Sequence, residues 1–352
     1  MTWRSAFWYL QMTTDEFVCS SSALRVGLAY NLRREAGSGP ADAQAEYDDP
    51  DTVEAIKAAL EKTGCRVELF EAEECFPAAI AAARPDIVFN IAEGRRGRGR
   101  EAHVPAILSF LGIPFTGSGE AAMCVTLDKA LVKRLLGTYR IRTPGYRVAG
   151  DTARVSVRGL SWPLIVKPNA EGSGMGITDV SVVSDAAGLS RAIEEGQAAY
   201  GQEMLVEEYI HGREFTVGLL GNGAGARAFP PMEILFKDKE KSIYGYEVKR
   251  DFRQYVDYAC PPDIGGELRA EMENTALKIY RILGCRDLAR IDFRLSGSGQ
   301  LYFIEINPLP GLAPDYSDYP ILAGLSGMDY TTLIQSILHT ALERYGLTGM
   351  RR

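Results

Sequence analysis

An α/β fold that opens on a parallel sheet is predicted by three features of the sequence. Near the start, apolar strands at Leu24–Tyr30, Cys65–Phe70 and Asp86–Ile91 alternate with helical segments, the order that builds a parallel sheet. Further on, the strand Pro163–Lys167 runs into a glycine-rich loop, Asn169–Gly176. Towards the end, two alternating strands flank Ser-Gly-Ser-Gly-Gln, the pattern of an antiparallel hairpin.

The elements follow in order. Residues 1–22 show neither helical nor strand period and read as an N-terminal extension. Trp3–Leu10 is aromatic with only Arg4 basic, Asp15 and Glu16 follow, and no long apolar core develops. That is not a secretory signal, so a cytoplasmic address is expected. After the first strand, Val53, Ile56 and Leu60 recur at helical spacing and Gly64 stops that helix. An alanine-rich helix, Pro77–Ala83, separates the second and third strands. A helix from about Glu101 to Leu111 ends at Gly112, and Gly117-Ser-Gly119 marks a boundary. One amphipathic helix is predicted from Thr126 to Leu136. Met204–Ile210 and Glu214–Leu220 are strands on either side of His211-Gly212. Tyr244–Arg250 reads as a strand with Tyr244, Tyr246, Val248 and Arg250 on one face, Glu247 and Lys249 on the other. Leu268, Met272, Ala276, Ile279 and Leu283 form one face of a helix. A last helix runs from Tyr330 to Tyr345.

Composition narrows the function. A chain of 352 residues suits two or three domains. The balance of 46 acidic to 39 basic residues, a net charge of −7, argues against a nucleic-acid binder that works through overall charge. No run approaches the roughly 18 apolar residues of a membrane helix. The six cysteines (Cys19, Cys65, Cys75, Cys124, Cys260, Cys285) form no C-x-x-C pair and only three histidines accompany them. Neither a zinc site nor a disulfide framework is expected, and the thiols should be reduced and mostly buried. His103, His211 and His339 lack a Ser or Cys partner at triad-like spacing. Missing signatures of the P-loop, the dinucleotide fingerprint, H-E-x-x-H and G-x-S-x-G argue against four further enzyme classes.

The chemistry concentrates in the hairpin. Alternation puts Ile291, Phe293 and Leu295 on one face and Arg290, Asp292 and Arg294 on the other. Glu305 and Asn307 likewise share a face. With the turn centred between Ser298 and Gly299, Asp292 opposes Glu305 and Arg290 opposes Asn307. Two carboxylates directly opposite repel unless a cation lies between them. With a carboxamide added, the set is all-oxygen and suits Mg²⁺ shared with phosphate oxygens. The stiff Pro308–Gly311 turn would aim backbone N–H groups at the same place. In the glycine-rich loop, Gly172, Gly174 and Gly176 let backbone N–H groups approach an anion, Ser173 adds a hydroxyl, and Lys167 reaches the same phosphates. Alone, such a loop is equally a turn. Arg95–Arg100 leaves two readings open, a grip on an anionic group or a solvated loop. It lacks the interleaved aromatics of an RNA-binding surface.

Laid out together, these residues resemble the D-alanine–D-alanine ligase family of ATP-grasp enzymes, over roughly Leu24 to Tyr345. The carriers are Leu111–Ser118, Leu127–Leu131, Val166-Lys-Pro168 with Glu171–Ser173, Glu214–Val217, Gly284-Cys-Arg with Arg290-Ile-Asp292, and Ile304–Pro308 with Pro310-Gly311. The resemblance implies a Rossmann-like N-terminal domain (23–118), a central ATP-grasp subdomain (119–210) and a C-terminal one (211–352) holding the metal and catalytic site. ATP would lie between the last two. Lys129 and Lys167 would contact phosphates and the adenine side, Glu207, Glu208 and Ile210 would form the adenine hinge, and Glu214 would bind ribose. Asp292, Glu305 and Asn307 would hold Mg²⁺ (or Mn²⁺). Arg290 and the Gly311 backbone would stabilise an oxyanion, and Lys249, following Tyr244, would close over the phosphates with Ser173 nearby. The family activity is ATP-dependent joining of a carboxylate to an amine, with amino-acid-like substrates and a homodimeric assembly.

Departures from the family pattern bear on the substrate. Glu93-Gly94 stands where His-Gly is common, and the arginine-rich loop is longer. Arg250 replaces the usual Tyr or Phe after Lys249, and Ser317-Asp318 stands where Ser plus an apolar residue is usual. For the carboxylate that holds an ammonium, Glu35, Glu46 and Asp48 are the candidates. Three readings result: the dipeptide ligase itself, a specialised peptide or amide ligase of secondary metabolism with other substrates, and an ATP-binding regulator without turnover. The retained Asp292, Glu305, Asn307, Arg290 and both lysines argue against the third.

Overall fold

The computed structural model describes residues 23–34, 42, 44–150, 155–177, 181–238 and 243–348. The extension 1–22 and the candidate Glu35 lie outside them. The first sheet holds β1 (Arg25–Tyr30), β2 (Arg66–Glu71) and β3 (Ile87–Asn90), all parallel in the order β2-β1-β3. Parallel neighbours require crossover connections, and α1 (Pro50–Glu61) and α2 (Phe76–Ala83) supply them. Val26 and Leu28 pack with Ile56 and Leu60 of α1 on one side, while Ala29 and Val88 meet Ile80 of α2 on the other. Helix α3 (His103–Leu111) follows and stops at Gly112, which takes a left-handed φ of 66°.

The second sheet is antiparallel, in the order β4 (Tyr146–Ala149), β7 (Met204–Glu208), β5 (Leu164–Pro168) and β6 (Val182–Val183). Helix α6 (Ala186–Tyr200) covers it, with Asp185 capping the Gly188 N–H at 2.7 Å and Leu189 and Ile193 facing the sheet.

The third sheet is also antiparallel, in the order β11 (Val256–Ala259), β10 (Met232–Phe236), β8 (Gly212–Leu220), β12 (Leu288–Ser296) and β13 (Leu301–Asn307), with β9 (Arg227–Ala228) on β8. Its apolar face carries Phe215, Val217, Ile291 and Phe293 against Met272, Ala276 and Ile279 of α9 (Gly266–Ile282). The polar face is therefore left for the site. Helix α10 (Asp318–Leu325) and α11 (Tyr330–Arg344) return the chain to the start, where Leu333, Ile337 and Leu338 share a core with α1 and β1. No helix among the described residues is long and apolar enough to cross a membrane.

Three expectations are corrected. The helix predicted over 126–136 is broken into α4 (Glu120–Leu127) and α5 (Lys129–Thr138). Asp128 leaves helical geometry at the junction (φ −84°, ψ 96°) and its side chain accepts from the Leu131 N–H at 3.0 Å, as an N-cap does. Tyr244–Arg250 is not a strand: α7 (Tyr246–Arg250) is a short helix, followed by α8 (Phe252–Tyr255). Val248 and Phe252, one helical turn apart, pack with Tyr244 and Ile234, and that spacing fits helical rather than alternating period. The described cysteines are free, but only Cys65 and Cys285 are buried, whereas Cys75 and Cys124 are exposed.

Candidate active site

The site grows from the polar face of β12 and β13. Asp292 pairs with Glu305 and Arg290 with Asn307 in the ladder, the register expected from sequence. It arises differently, however. Nearer the turn the register is one residue off, and a bulge beside Asp292 restores it. Ile304 is the extra residue, and its carbonyl accepts from Lys133 Nζ at 3.0 Å. On the other side of β12, Thr216 lies opposite Asp292 and donates to its Oδ1 at 2.7 Å. Arg290 spans the Asp292 carboxylate with two bonds of 3.1 Å and lies 3.6 Å from Asp318. Asn307 Oδ1 accepts from the Leu309 N–H at 3.1 Å, which fixes the carboxamide at the Pro308 turn.

Cations surround this face. Lys129 Nζ is 3.7 Å from Glu305 and donates to the Glu171 carbonyl. Burial alone would raise the Glu305 pKa, but Lys129, Lys167, Lys249 and Arg290 outweigh it and hold the carboxylate ionised, at about 2. Lys167 Nζ lies 2.5 Å from Glu207, and Lys133 Nζ lies 2.9 Å from the other oxygen of the same carboxylate. All three side chains are almost fully buried. Glu207 and Lys167 are diagonal neighbours on β7 and β5, and Lys133 follows Lys129 by one helical turn. Lys133 was not anticipated from sequence, although its four-residue spacing from Lys129 was the available signal.

A cleft of about 610 Å³ runs between the second and third sheets, lined by Lys167, Glu208, Ile210, Glu214, Tyr244 and Lys249 among others. The Glu208 carboxylate is occupied by the Gly145 and Ser161 N–H groups at 3.1 and 2.7 Å. Arg294 pairs with Glu214 at 2.7 Å, donates to the Ile210 carbonyl at 3.0 Å and stacks on Tyr209.

The glycine-rich loop has two of its N–H groups engaged by carboxylates. Gly172 donates to Glu46 at 2.7 Å and Gly176 to Asp42 at 2.8 Å. A Cβ at Gly176, with φ 68°, would lie 2.7 Å from Pro168, so only glycine fits. Ser173 adopts a left-handed φ of 51° without being glycine, a strained geometry that clusters at functional sites. The arginine-rich loop grips carboxylates of the chain itself. Arg98 pairs with Asp128 (2.6 Å) and Glu203 (2.8 Å), and Arg100 with Glu46 (2.7 Å) and Glu171 (2.8 Å).

Next to the hairpin lies a chamber of about 1020 Å³ whose wall includes Arg290, Lys249, Arg250, Gly311, Ser317 and Asp318. Tyr244 and Tyr258 donate to Asp318 at 2.9 and 3.1 Å. Burial and the Asp318 charge push the Tyr244 hydroxyl pKa well up. Lys249 Nζ sits over the Tyr244 ring at 5.1 Å. Arg250 is exposed and pairs with Asp251. Ser317 Oγ accepts from the Ala313 N–H at 3.2 Å, and a Cβ on Gly311 would come within 2.7 Å of it. Asp48 also lines the chamber, and burial pushes its carboxyl up to about 7. A second, inner recess of about 560 Å³ shares Glu46, Glu93, Ser173 and Asn307 with the chamber, and Glu305 with the cleft.

Comparison with known proteins decides the family. Residues 145–339 match the model of the D-ala D-ala ligase C-terminus. A D-alanine–D-alanine ligase of Bordetella petrii is 38% identical over 81% of this chain and 85% of its own length. The chain belongs to the D-alanine–D-alanine ligase family. Another relative, the uncharacterized protein y4sG of Sinorhizobium fredii, is 34% identical over 84% of this chain and 89% of its own. The D-alanine–D-alanine ligase of Bacillus anthracis, solved in complex with ATP, superposes with a TM-score of 0.72 at 23% identity, covering 93% of this chain and 100% of that one. The ATP-grasp fold implied by the resemblance is the fold of this chain. It is a D-alanine–D-alanine ligase-like, ATP-dependent ligase.

Proposed function

We propose that this ligase joins two amino acids, or an amino acid and a related acid, through an acylphosphate formed at the expense of ATP. The observation that carries the reading is the register pairing of Asp292 with Glu305 and Arg290 with Asn307 on one polar face ringed by lysines. The donor set fits a hard dication: two carboxylates and a carboxamide, all oxygen, with Glu305 ionised at any physiological pH. Asp292, Glu305 and Asn307 would hold Mg²⁺ or Mn²⁺, which when bound neutralises charge on the transferring phosphoryl group.

A carboxylate is a poor electrophile towards an amine. One of its oxygens attacks the γ-phosphorus, the bond to the β-phosphate oxygen breaks and ADP leaves. The amine nitrogen then attacks the acyl carbon, the carbon–oxygen bond to phosphate breaks, and the nitrogen loses a proton. Within this scheme Lys129 and Lys167 bind phosphates, Lys249 approaches from α7, and Ser173 offers its hydroxyl from the loop. Glu207, Glu208, Ile210 and Glu214 lie along the wall of the cleft proposed for the nucleotide. Arg290 meets the negative charge of the tetrahedral species together with the Gly311 backbone. Asp292 and Asp318 fix that guanidinium from two sides, so it needs no reorganisation when charge develops. Walling the chamber from water and orienting both reactants lowers the barrier by roughly 7–11 kcal/mol.

Glu305→Gln tests the assignment. Amino-acid-dependent ADP release should fall by at least about 100-fold, with an unaltered circular dichroism spectrum. Turnover within a few-fold of the parent would remove Glu305 from the metal site.

A further inference from the structure

The inner recess gathers more carboxyl groups than its own cations pair. Carboxylate oxygens of Glu46, Glu93 and Glu101 lie within 4.8 Å of one another, and Glu171 shares the wall. Arg100 is divided between Glu46 and Glu171, and Lys129 is 3.7 Å from Glu305. Among the described residues, Glu93 and Glu101 form no ion pair. Glu101 Oε2 is buried with no hydrogen-bond partner, on a residue only 7% exposed. An orphaned, buried carboxyl oxygen is costly unless a ligand brings a partner for it.

The free lone pairs show which of the three clustered carboxylates can still take a ligand. Both Glu46 oxygens are already taken, Oε1 by the Gly172 N–H and Arg100, Oε2 by two Arg100 nitrogens. Within this cluster of three, Glu93 and Glu101 still offer acceptors. Two adjacent carboxylates with free lone pairs match the N–H donors of one ammonium or guanidinium. Position matters as well. Asp48 lines the chamber but not the recess, Glu101 lines the recess but not the chamber, and Glu93 lines both. Two separately placed acidic groups fit a molecule carrying two cations.

We propose that Glu93 and Glu101 bind a second cationic group on the acid substrate, so that this ligase prefers a basic or diamino acid to a neutral amino acid. The inference rests on the ligase reading and names the substrate class for it. In the absence of such a ligand, burial and the neighbouring Glu46 keep both carboxyls protonated far above their ordinary range. An ammonium entering the recess would draw those protons off and convert two neutral acids into ion-pair partners.

The test compares lysine with norleucine, which has nearly the same length and no side-chain charge, in both enantiomers. ADP release is measured for the parent protein, Glu101→Gln and Glu93→Gln, and binding is measured by calorimetry on the protein loaded with Mg²⁺-ADP. Ornithine and 2,3-diaminopropionate extend the series to shorter reach. The parent should favour at least one of the basic acids over its neutral partner tenfold or more in kcat/KM. Each substitution should reduce that ratio at least tenfold, through KM more than kcat. Equal use of basic and neutral acids by the parent would overturn the proposal. So would an unchanged ratio in both variants, or variants that alter only the Mg²⁺ requirement. Absence of ADP release with every acid, combined with a tenfold calorimetric preference for a basic acid that Glu101→Gln removes, would refute the ligase reading and leave the recess as inferred.

Discussion

Glu207 combines a buried ionic role with a place in the wall of the cleft proposed for the nucleotide. Its carboxylate lies between Lys133 and Lys167, and all three are buried. Burial opposes its ionisation, but the two lysines outweigh that and hold its pKa below the ordinary carboxylate range. Glu207→Gln would leave two buried ammonium groups without their counter-charge, at a cost of about 3–5 kcal/mol. Denaturant unfolding at neutral pH should report that loss, and the deficit should shrink in alkali as the lysines lose their protons. A change below about 1 kcal/mol would mean that the triad is well solvated. The family resemblance implies a place for Glu207 at an adenine hinge, and Glu207 lines the cleft proposed for the nucleotide. Its ionic role was not legible, because the partner Lys133 comes from a different element 74 positions away. Asp292, Glu305, Arg290 and Asn307 were legible as one polar face because strand alternation assigns faces, whereas their exact pairing also depends on the bulge at Ile304.

At the level of elements, period was a good guide to faces and a poor one to interruptions. Alternation correctly split β12 into an apolar side and a charged side, yet counting by twos could not reveal the inserted Ile304 in β13. The helix over 126–136 looked continuous because Leu127, Leu131 and Leu135 keep helical spacing across Asp128. Asp128 instead ends one helix and starts the next. Its carboxylate accepts from the Leu131 N–H, from Asn169 of the glycine-rich loop at 2.8 Å and from Arg98 at 2.6 Å. Although burial works against ionisation, these donors hold the Asp128 pKa below its ordinary value. A depressed carboxylate stabilises the fold above its unfolded pKa and loses that contribution as pH falls through the folded one. Asp128→Ala should therefore cost about 1–2 kcal/mol at neutral pH, and thermal unfolding should show the gap closing in acid below about pH 4. A gap that persists unchanged at low pH would assign the loss to packing.

Across the whole molecule, three sheets are joined by polar contacts that no local pattern announces. Asp287 is wholly buried and binds Arg344 of α11 at 2.6 Å, Asn222 at 2.6 Å and the Gly117 N–H at 2.8 Å, tying residues from three distant stretches together. Arg98 and Arg100 join the loop after β3 to the glycine-rich loop and its surroundings in the same way. The strand and helix order made the fold class readable, since each unit is local. These seams were not readable, because they bring together residues from 30 to 170 positions apart on different elements. The cavities lie along the seams, and the proposed ligation would take place there. The most direct measurement is ADP release by the parent protein with Mg²⁺-ATP, screened over single and paired D- and L-amino acids, with products identified by mass. ADP should form only with an acceptable pair, in equal amount to an amide-linked product. ADP released without any such product, or none released with any pair, would contradict the proposed ligation.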